Sequence, residues 1–424
     1  MANEIIFGPW VGGVTSSSAV IKAAVDKNSS AELILSKSST LSSPEQHTPT
    51  TTSASVEMKV LTFTPDNLLP DTQYHYALKV GAAAPAADRR GRFRTFLPEN
   101  SAASFTFACA GDAKGGELFS EFSNHKVFDT IRAEKPLFFV HLGDLSYDNV
   151  NSRVVADHVE SFRGVLNAPR QAELYRNVPV AYTWDDHDYC GDASDGESKG
   201  RRAARLAYQR CVPHYPLAEG EGDVAIYHAF TVGRVRFLMT DSRSERSSRK
   251  LPDTATKSML GARQKKWLKD ELRAGKDRFP LVVLVSSVPW LGDPKKNPVD
   301  TDGWFSYSTE RAELGSFIQK NDIRNVLMLS ADAHMLALDD GSNNRGATGT
   351  GGFPVFQASP LDRTNSKKGK PFAFSHGLFD FDDGQFGLVT VNDSGGPTVQ
   401  VVLRGRQMQN ELLSFTFDSP RAGG

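Results

Sequence analysis

The sequence predicts two folds in series: an all-β unit over residues 1–98, then an α/β unit over residues 103–424. Three observations lead there. The first ~98 residues are Ser/Thr-rich and helix-poor, broken into short apolar runs. From Ser104 onward, apolar runs alternate with amphipathic stretches, as buried strands alternate with helices. Several of those later runs end in an acidic residue or an acid–histidine pair. A length of 424 residues suits two or three domains of ~100–200 residues each.

Taken in order, residues 19–25, 31–35 and 56–61 read as strands of the first unit. Residues 68–78 make a turn at Pro70-Asp71 and then a strand bearing Tyr74 and Tyr76. This L-x-P-x-T-x-Y-x-Y wording resembles fibronectin-type-III-like or Ig-like sandwiches, whose tyrosines anchor the sheet packing. Residues 91–96 would close the sandwich and 98–101 form the linker. The unit shows no chemistry and reads as an accessory module.

In the second unit, residues 105–110, 136–142, 178–184, 235–240, 281–287 and 326–330 read as buried strands. Residues 257–273 have the period of an amphipathic helix, and 386–391 with 398–403 look like a closing hairpin. The glycine-rich residues 346–352 lack the Lys-Ser/Thr of a phosphate loop and read as a turn. No internal repeat appears.

Composition removes several classes of function. Lys and Arg number 49 against 50 Asp and Glu, so the basic excess of a nucleic-acid or anionic-membrane binder is missing. No apolar run approaches the ~18 residues of a membrane-spanning helix. The N-terminus MANEIIFGPWVGG has no basic region followed by a long apolar stretch. The expected location is therefore secreted or periplasmic if a leader was removed, and otherwise cytoplasmic. Three cysteines, Cys109, Cys190 and Cys211, cannot build a disulfide framework. Cys190 and Cys211 either pair in an oxidising compartment or stay separate thiols.

The chemistry lies at the strand ends. Asp112, Asp144, Asp186-His187 and Asp332-Ala333-His334 each follow an apolar strand. Ligands of α/β sheets sit beyond the carboxyl ends of the strands, where these residues can converge. A single Asp there is usually a helix cap. Four such ends, two of them pairing an acid with a histidine, are hard to explain as caps. Clustered carboxylates repel one another unless cations neutralise them, and hard oxygen ligands with histidine favour Fe, Mn, Ca or Zn. A two-metal site is the economical reading.

These residues also carry a family resemblance. Gly143-Asp144-Leu145-Ser146-Tyr147 resembles the G-D-x-x-Y segment of the calcineurin-like metallophosphoesterases, shared by purple acid phosphatases. Asp185-Asp186-His187-Asp188 stands for the G-N-H-[DE] box, and Ala331-Asp332-Ala333-His334 for G-H-x-H. The W-D-D-H-D and D-x-H wording is similar to the alkaline phosphatase D (PhoD-like) branch. Segments 227–230, 240–243, 287–290, 304–311 and 332–337 share that likeness, which spans roughly 105–403. The resemblance implies an α/β four-layer sandwich, helices flanking two β-sheets. It implies Fe3+ held by Asp112 or Cys109, Asp144, Tyr147 and His334, and Ca2+ or another divalent ion (Zn2+, Mn2+, Mg2+) at Asp144, Asp186 and Asp332. The substrate would be a phosphate ester.

Within that reading, His187 protonates the leaving alkoxide or steadies the phosphate, or else pairs with Asp188. Arg243 binds a phosphate oxygen or forms a salt bridge to Asp241, itself a candidate substrate contact. Trp304, Tyr307 and Arg311 line the pocket, or the two aromatics pack in the core. Monoesters, diesters, phospholipids and triesters remain open as substrates, and so does the oligomeric state. Two other classes compete. A surface-binding protein with an inactive α/β unit should have lost ligands, and each strand end keeps its acid. A serine hydrolase needs a G-x-S-x-G elbow at the end of a buried strand, and the G-x-S-x-G wording at Gly196-Glu197-Ser198-Lys199-Gly200 follows a polar stretch, not an apolar run.

Overall fold

The structure is a computed structural model that describes residues 5–54, 57–114, 122–292, 302–344, 352–363, 374–380 and 383–420. The glycine-rich turn at 346–352 lies, but for Gly352, outside the described residues, as does Val56 of the third expected strand. None of the described helices is long and apolar enough to cross a membrane.

The fold is a multi-sheet α/β arrangement. Phe105–Ala110, Phe139–His141 and Val180–Tyr182 run parallel in the middle of a ten-stranded sheet, with Phe139 level with both Ala108 and Val180. Val235–Met239, Leu281–Val285 and Val326–Ser330 run parallel in a seven-stranded sheet. Aligned parallel strands bring their carboxyl ends to one edge of the sheet.

Side-chain alternation explains the layering. Leu281, Val283 and Val285 enter the core between the two sheets, while Val282 and Leu284 face helices Gly261–Arg278 and Ser308–Lys320. On the other sheet, Val140 enters the shared core. Phe139 packs beside Leu174 and Tyr175 of helix Pro169–Asn177. Phe107 and Phe138 stack at 5.0 Å between the sheets, and Phe237 meets Phe138 edge-on at 5.3 Å. Each such buried ring contributes about 1.5–3 kcal/mol.

The expected strands of the first unit occur as Val20–Asp26, Ala31–Ser36, Met58–Phe63, Gln73–Val80 and Gly91–Arg94. Ile5–Gly12, Glu45–His47 and Thr51–Ala54 join them. Four strands form a separate sheet in the order Glu45–His47, Ala31–Ser36, Gln73–Val80, Gly91–Arg94. The other four extend the ten-stranded sheet, because Gly12 pairs in parallel with Val180. The junction is polar as well. Trp10 Nε1 donates to Cys211 O at 3.0 Å, Tyr76 Oη to Arg176 O at 3.0 Å, and Tyr215 Oη to Val14 O at 2.8 Å.

Two elements differ from expectation. The helix read at 257–273 is Gly261–Arg278, because Ser258 Oγ accepts the Gly261 N–H at 2.8 Å and starts it later. The closing hairpin is a three-strand meander, Gln385–Asn392, Val399–Gln407 and Asn410–Ser419. Cys109, Cys190 and Cys211 are separate buried thiols.

Candidate metal centre

Asp112 and Asp144 follow adjacent strands, and backbone bonds tie their loops together. Asp112 N donates to Gly143 O at 3.1 Å, and Ala113 N donates to Asp144 O at 2.8 Å. The approach is close enough to demand glycine. A Cβ on Gly111 would lie 2.7 Å from Ala331 Cβ, and one on Gly143 would lie 2.6 Å from Asp185 Cβ. Asp112, Asp144, Asp332 and His334 all take left-handed backbone, with φ of 64°, 51°, 63° and 50°. That conformation costs an ordinary residue about 1–2 kcal/mol, is eased for Asp, and gathers at functional sites.

Three groups of ligating atoms result, each with its members within 4.8 Å of one another: Asp112, Asp144 and His334; Asp144, Asp186 and His187; Asp185, Asp186 and Asp332. Asp144 belongs to the first two and Asp186 to the last two, so the groups form one chain of shared carboxylates. Tyr147 Oη lies 3.4 Å from His334 Nε2. Of the residues expected at the two metals, Asp112, Asp144 and His334 form one group with Tyr147 beside it, whereas Asp332 groups with Asp185 and Asp186 and not with Asp144. Cys109, the alternative to Asp112, belongs to none of these groups. The strand's alternation turns it into the core between the sheets, near Phe356 and Gly387, and burial pushes its thiol up.

The acids are held at an electrostatic cost. Asp112, Asp144, Asp185, Asp186 and Asp332 are all buried. Burial, then the charges of Asp186, Asp185 and Asp112, holds the Asp144 carboxyl well above the ordinary carboxylate range. Burial and the charge of Asp144 likewise raise the Tyr147 phenol. Such a set of hard oxygen donors with the imidazoles of His334 and His187 fits hard cations, whose binding would relieve the repulsion.

Asp188 is occupied structurally. Its oxygens accept Asp185 N at 2.7 Å, Leu145 N at 2.8 Å and Tyr182 Oη at 2.5 Å. His187 turns instead to Asn149, with Nδ1 2.6 Å from Asn149 Oδ1, while Asn149 Nδ2 donates to Tyr147 O at 2.7 Å. The His187 and Tyr147 rings lie 4.1 Å apart.

Arg243 is fully buried. Its Nε donates to Asp185 Oδ1 and its Nη1 to Asp302 Oδ2, each at 2.5 Å, and Nη2 lies 3.8 Å from Asp186 Oδ1. Asp302 also pairs with Arg246. The guanidinium of Arg243 thus pairs with Asp185 and Asp302 rather than with the Asp241 carboxylate, which accepts only the Arg243 backbone N–H. Asp241 braces the loop, accepting Trp184 Nε1 at 2.9 Å, Ile226 N at 3.1 Å and Ser244 N at 2.9 Å. Trp304 and Tyr307 are buried in the helix-side core, where Trp304 Nε1 donates to Ser286 Oγ and Tyr307 Oη to Ser247 O. Arg311 stacks on Trp290 and Phe305, and burial lowers it to about 10.

Sequence reasoning passed over Asn149, Asp185 and Asp302. Asp185 stood inside the D-D-H-D box, where its place beside Asp186 was the available signal. The other two act through contacts formed only in the folded chain.

The PhoD-like phosphatase family profile matches residues 106–377. Alkaline phosphatase D of Bacillus subtilis (strain 168) is 24% identical over 318 residues, covering 63% of this chain. The chain spans about half that relative's length, 52%. A solved structure of PhoD superposes with a TM-score of 0.73 at 17% identity, covering 98% of this chain and 89% of that one. Purple acid phosphatase PPD1 from yellow lupin (Lupinus luteus) seeds gives a TM-score of 0.65 at 13% identity, over 96% and 73% of the two chains. At those identities the structures speak for the fold, whereas the profile covers well over half of the chain: this protein belongs to the PhoD-like phosphatase family.

Proposed function

We propose that the chain hydrolyses phosphate esters at the acid–histidine centre with two metal ions. The observation that carries this is Asp144, whose carboxylate belongs both to the Asp112–His334 group and to the Asp186 group. A carboxylate common to two ligand groups would let the chain hold two cations side by side. Fe3+ suits Asp112, Asp144, Tyr147 and His334, since a phenol among carboxylates favours a hard trivalent ion. Ca2+ or another divalent ion suits Asp144, Asp186 and Asp332.

Metals bound here would supply Lewis acidity to the phosphoryl group and acidify a water for in-line attack. The chain's own residues do the rest. Asn149 Oδ1 accepts from His187 Nδ1 and fixes the ring, so Nε2 is the nitrogen that would carry a proton to the leaving alkoxide. Arg243 steadies Asp185 and Asp186 from behind rather than reaching the phosphate. Residues 103–424 would be the catalytic four-layer sandwich. Residues 1–98 would be its fibronectin-III/Ig-like partner, a reading supported by two facing sets of four strands. Phosphodiester, phospholipid and phosphotriester hydrolysis are alternatives for the same centre.

The test is elemental analysis of purified protein, with p-nitrophenyl phosphate and bis-p-nitrophenyl phosphate assayed before and after chelation. Iron with a divalent metal is expected, with turnover lost on chelation and reduced at least ~100-fold by Asp144→Asn. A metal-free protein that stays inactive after reconstitution would refute the proposal.

A further inference from the structure

Two cations share one aromatic ring at the edge of this centre. Lys114 Nζ lies 5.5 Å and Arg363 Cζ 5.4 Å from the centroid of Tyr147, whose phenol oxygen faces His334. Both side chains are half-buried. They come from segments far apart in sequence that the backbone stitches together. Leu361 N donates to Gly111 O at 2.8 Å, and Asp362 N donates to Asp112 O at 3.3 Å. Ser123 Oγ holds the buried Asp362 carboxylate at 2.5 Å. The loop that presents Asp112 therefore also presents Lys114, and the strand of chain bound to it presents Arg363.

A ring face attracts one cation by about 0.5–1 kcal/mol, but a second cation beside it is repelled by the first. Among the described residues Lys114 makes no ion pair. An oxyanion between the two would turn that repulsion into charge-assisted hydrogen bonds, with a fork from the arginine and a point charge from the lysine.

We propose that Lys114 and Arg363 form an anion subsite beside the metal centre. Its substrates are phosphate esters whose alcohol portion carries a second anionic group, a carboxylate or another phosphate. This rests on the hydrolase reading above for the word substrate, but the subsite itself is a matter of binding.

The test uses ligands with an uncleavable carbon–phosphorus bond. Calorimetry of the metal-loaded protein would compare propylphosphonate with 3-phosphonopropionate, alike in chain length but for one carboxylate. The carboxylate compound should bind about 10-fold more tightly or better, as a charged hydrogen bond gives. The double variant Lys114→Ala/Arg363→Ala should bring the ratio to about one, while Lys114→Arg/Arg363→Lys should retain the preference. Equal wild-type affinities, an equal loss for both ligands in the double variant, or no binding of either ligand would overturn the subsite. If the preference holds while p-nitrophenyl phosphate is not turned over, the hydrolase reading fails alone. Turnover without the preference sinks the subsite alone.

Discussion

Arg243 carries a full positive charge with no exposed surface, enclosed by Asp185 and Asp302, and that arrangement is strong only while complete. Removing one partner of a buried pair leaves the other charged in a poor solvent, at a cost of about 3–5 kcal/mol. Arg243→Ala should therefore lower the unfolding free energy of the chelated protein by about that amount. Asp302→Asn should cost a comparable amount: Asp185 and Asp186 still face Arg243, but the buried Arg246 loses its paired carboxylate. Denaturant titration measures both; a change below ~1 kcal/mol in Arg243→Ala would show that the arginine does not carry the acids.

Strands bring the ligands together, and glycines let the strand ends meet. Gly143 combines φ of +105° with a neighbouring Asp185 backbone nitrogen 2.8 Å from where a Cβ would stand. Gly143→Ala should force the Asp144 loop away from the Asp185 loop. Metal retained per chain should fall several-fold, and stability by about 2 kcal/mol or more. Elemental analysis after dialysis checks this, and full retention of both metals would contradict it. The same geometry explains what could be read in advance. Asp112, Asp144, Asp186 and His334 were legible because each directly ends an apolar run, and strand ends in parallel sheets converge. Asn149, Asp302, Lys114 and Arg363 follow no such rule, since their roles depend on which loops touch. Ile5–Gly12 escaped notice because Gly8-Pro9 interrupts its alternation and its parallel partner is remote in sequence. Cys109 was a fair alternative to Asp112 on position alone; strand parity, invisible without knowing which face is which, turned it inward.

Across the whole molecule, the first strands and the central sheet are one hydrogen-bonded surface, and His228 sits near where they meet. Its ring lies 5.8 Å from that of Tyr215, whose hydroxyl reaches Val14 O. His228 is 1% exposed and its Nδ1 faces Ile226 O at 2.9 Å, and burial lowers it to about 4 from 6.5. The folded chain then binds this proton less readily than the unfolded chain. The stability is present above pH ~6.5 and is lost as pH falls through ~4, by on the order of 3 kcal/mol. His228→Asn, which keeps a donor toward Ile226 O, should flatten that part of the stability–pH curve measured by urea unfolding. Parallel curves for the two proteins would count against it.

The pairing of Gly12 with Val180 also orders events during synthesis. At ~5–20 residues per second, a ribosome needs roughly 10–30 s to make the chain between them. For that time the nascent protein carries an open sheet edge, which invites foreign strands. The strand that closes it, Val180–Tyr182, is followed within a few residues by Asp185 and Asp186, so the edge is sealed and the acids are delivered in the same short stretch of translation.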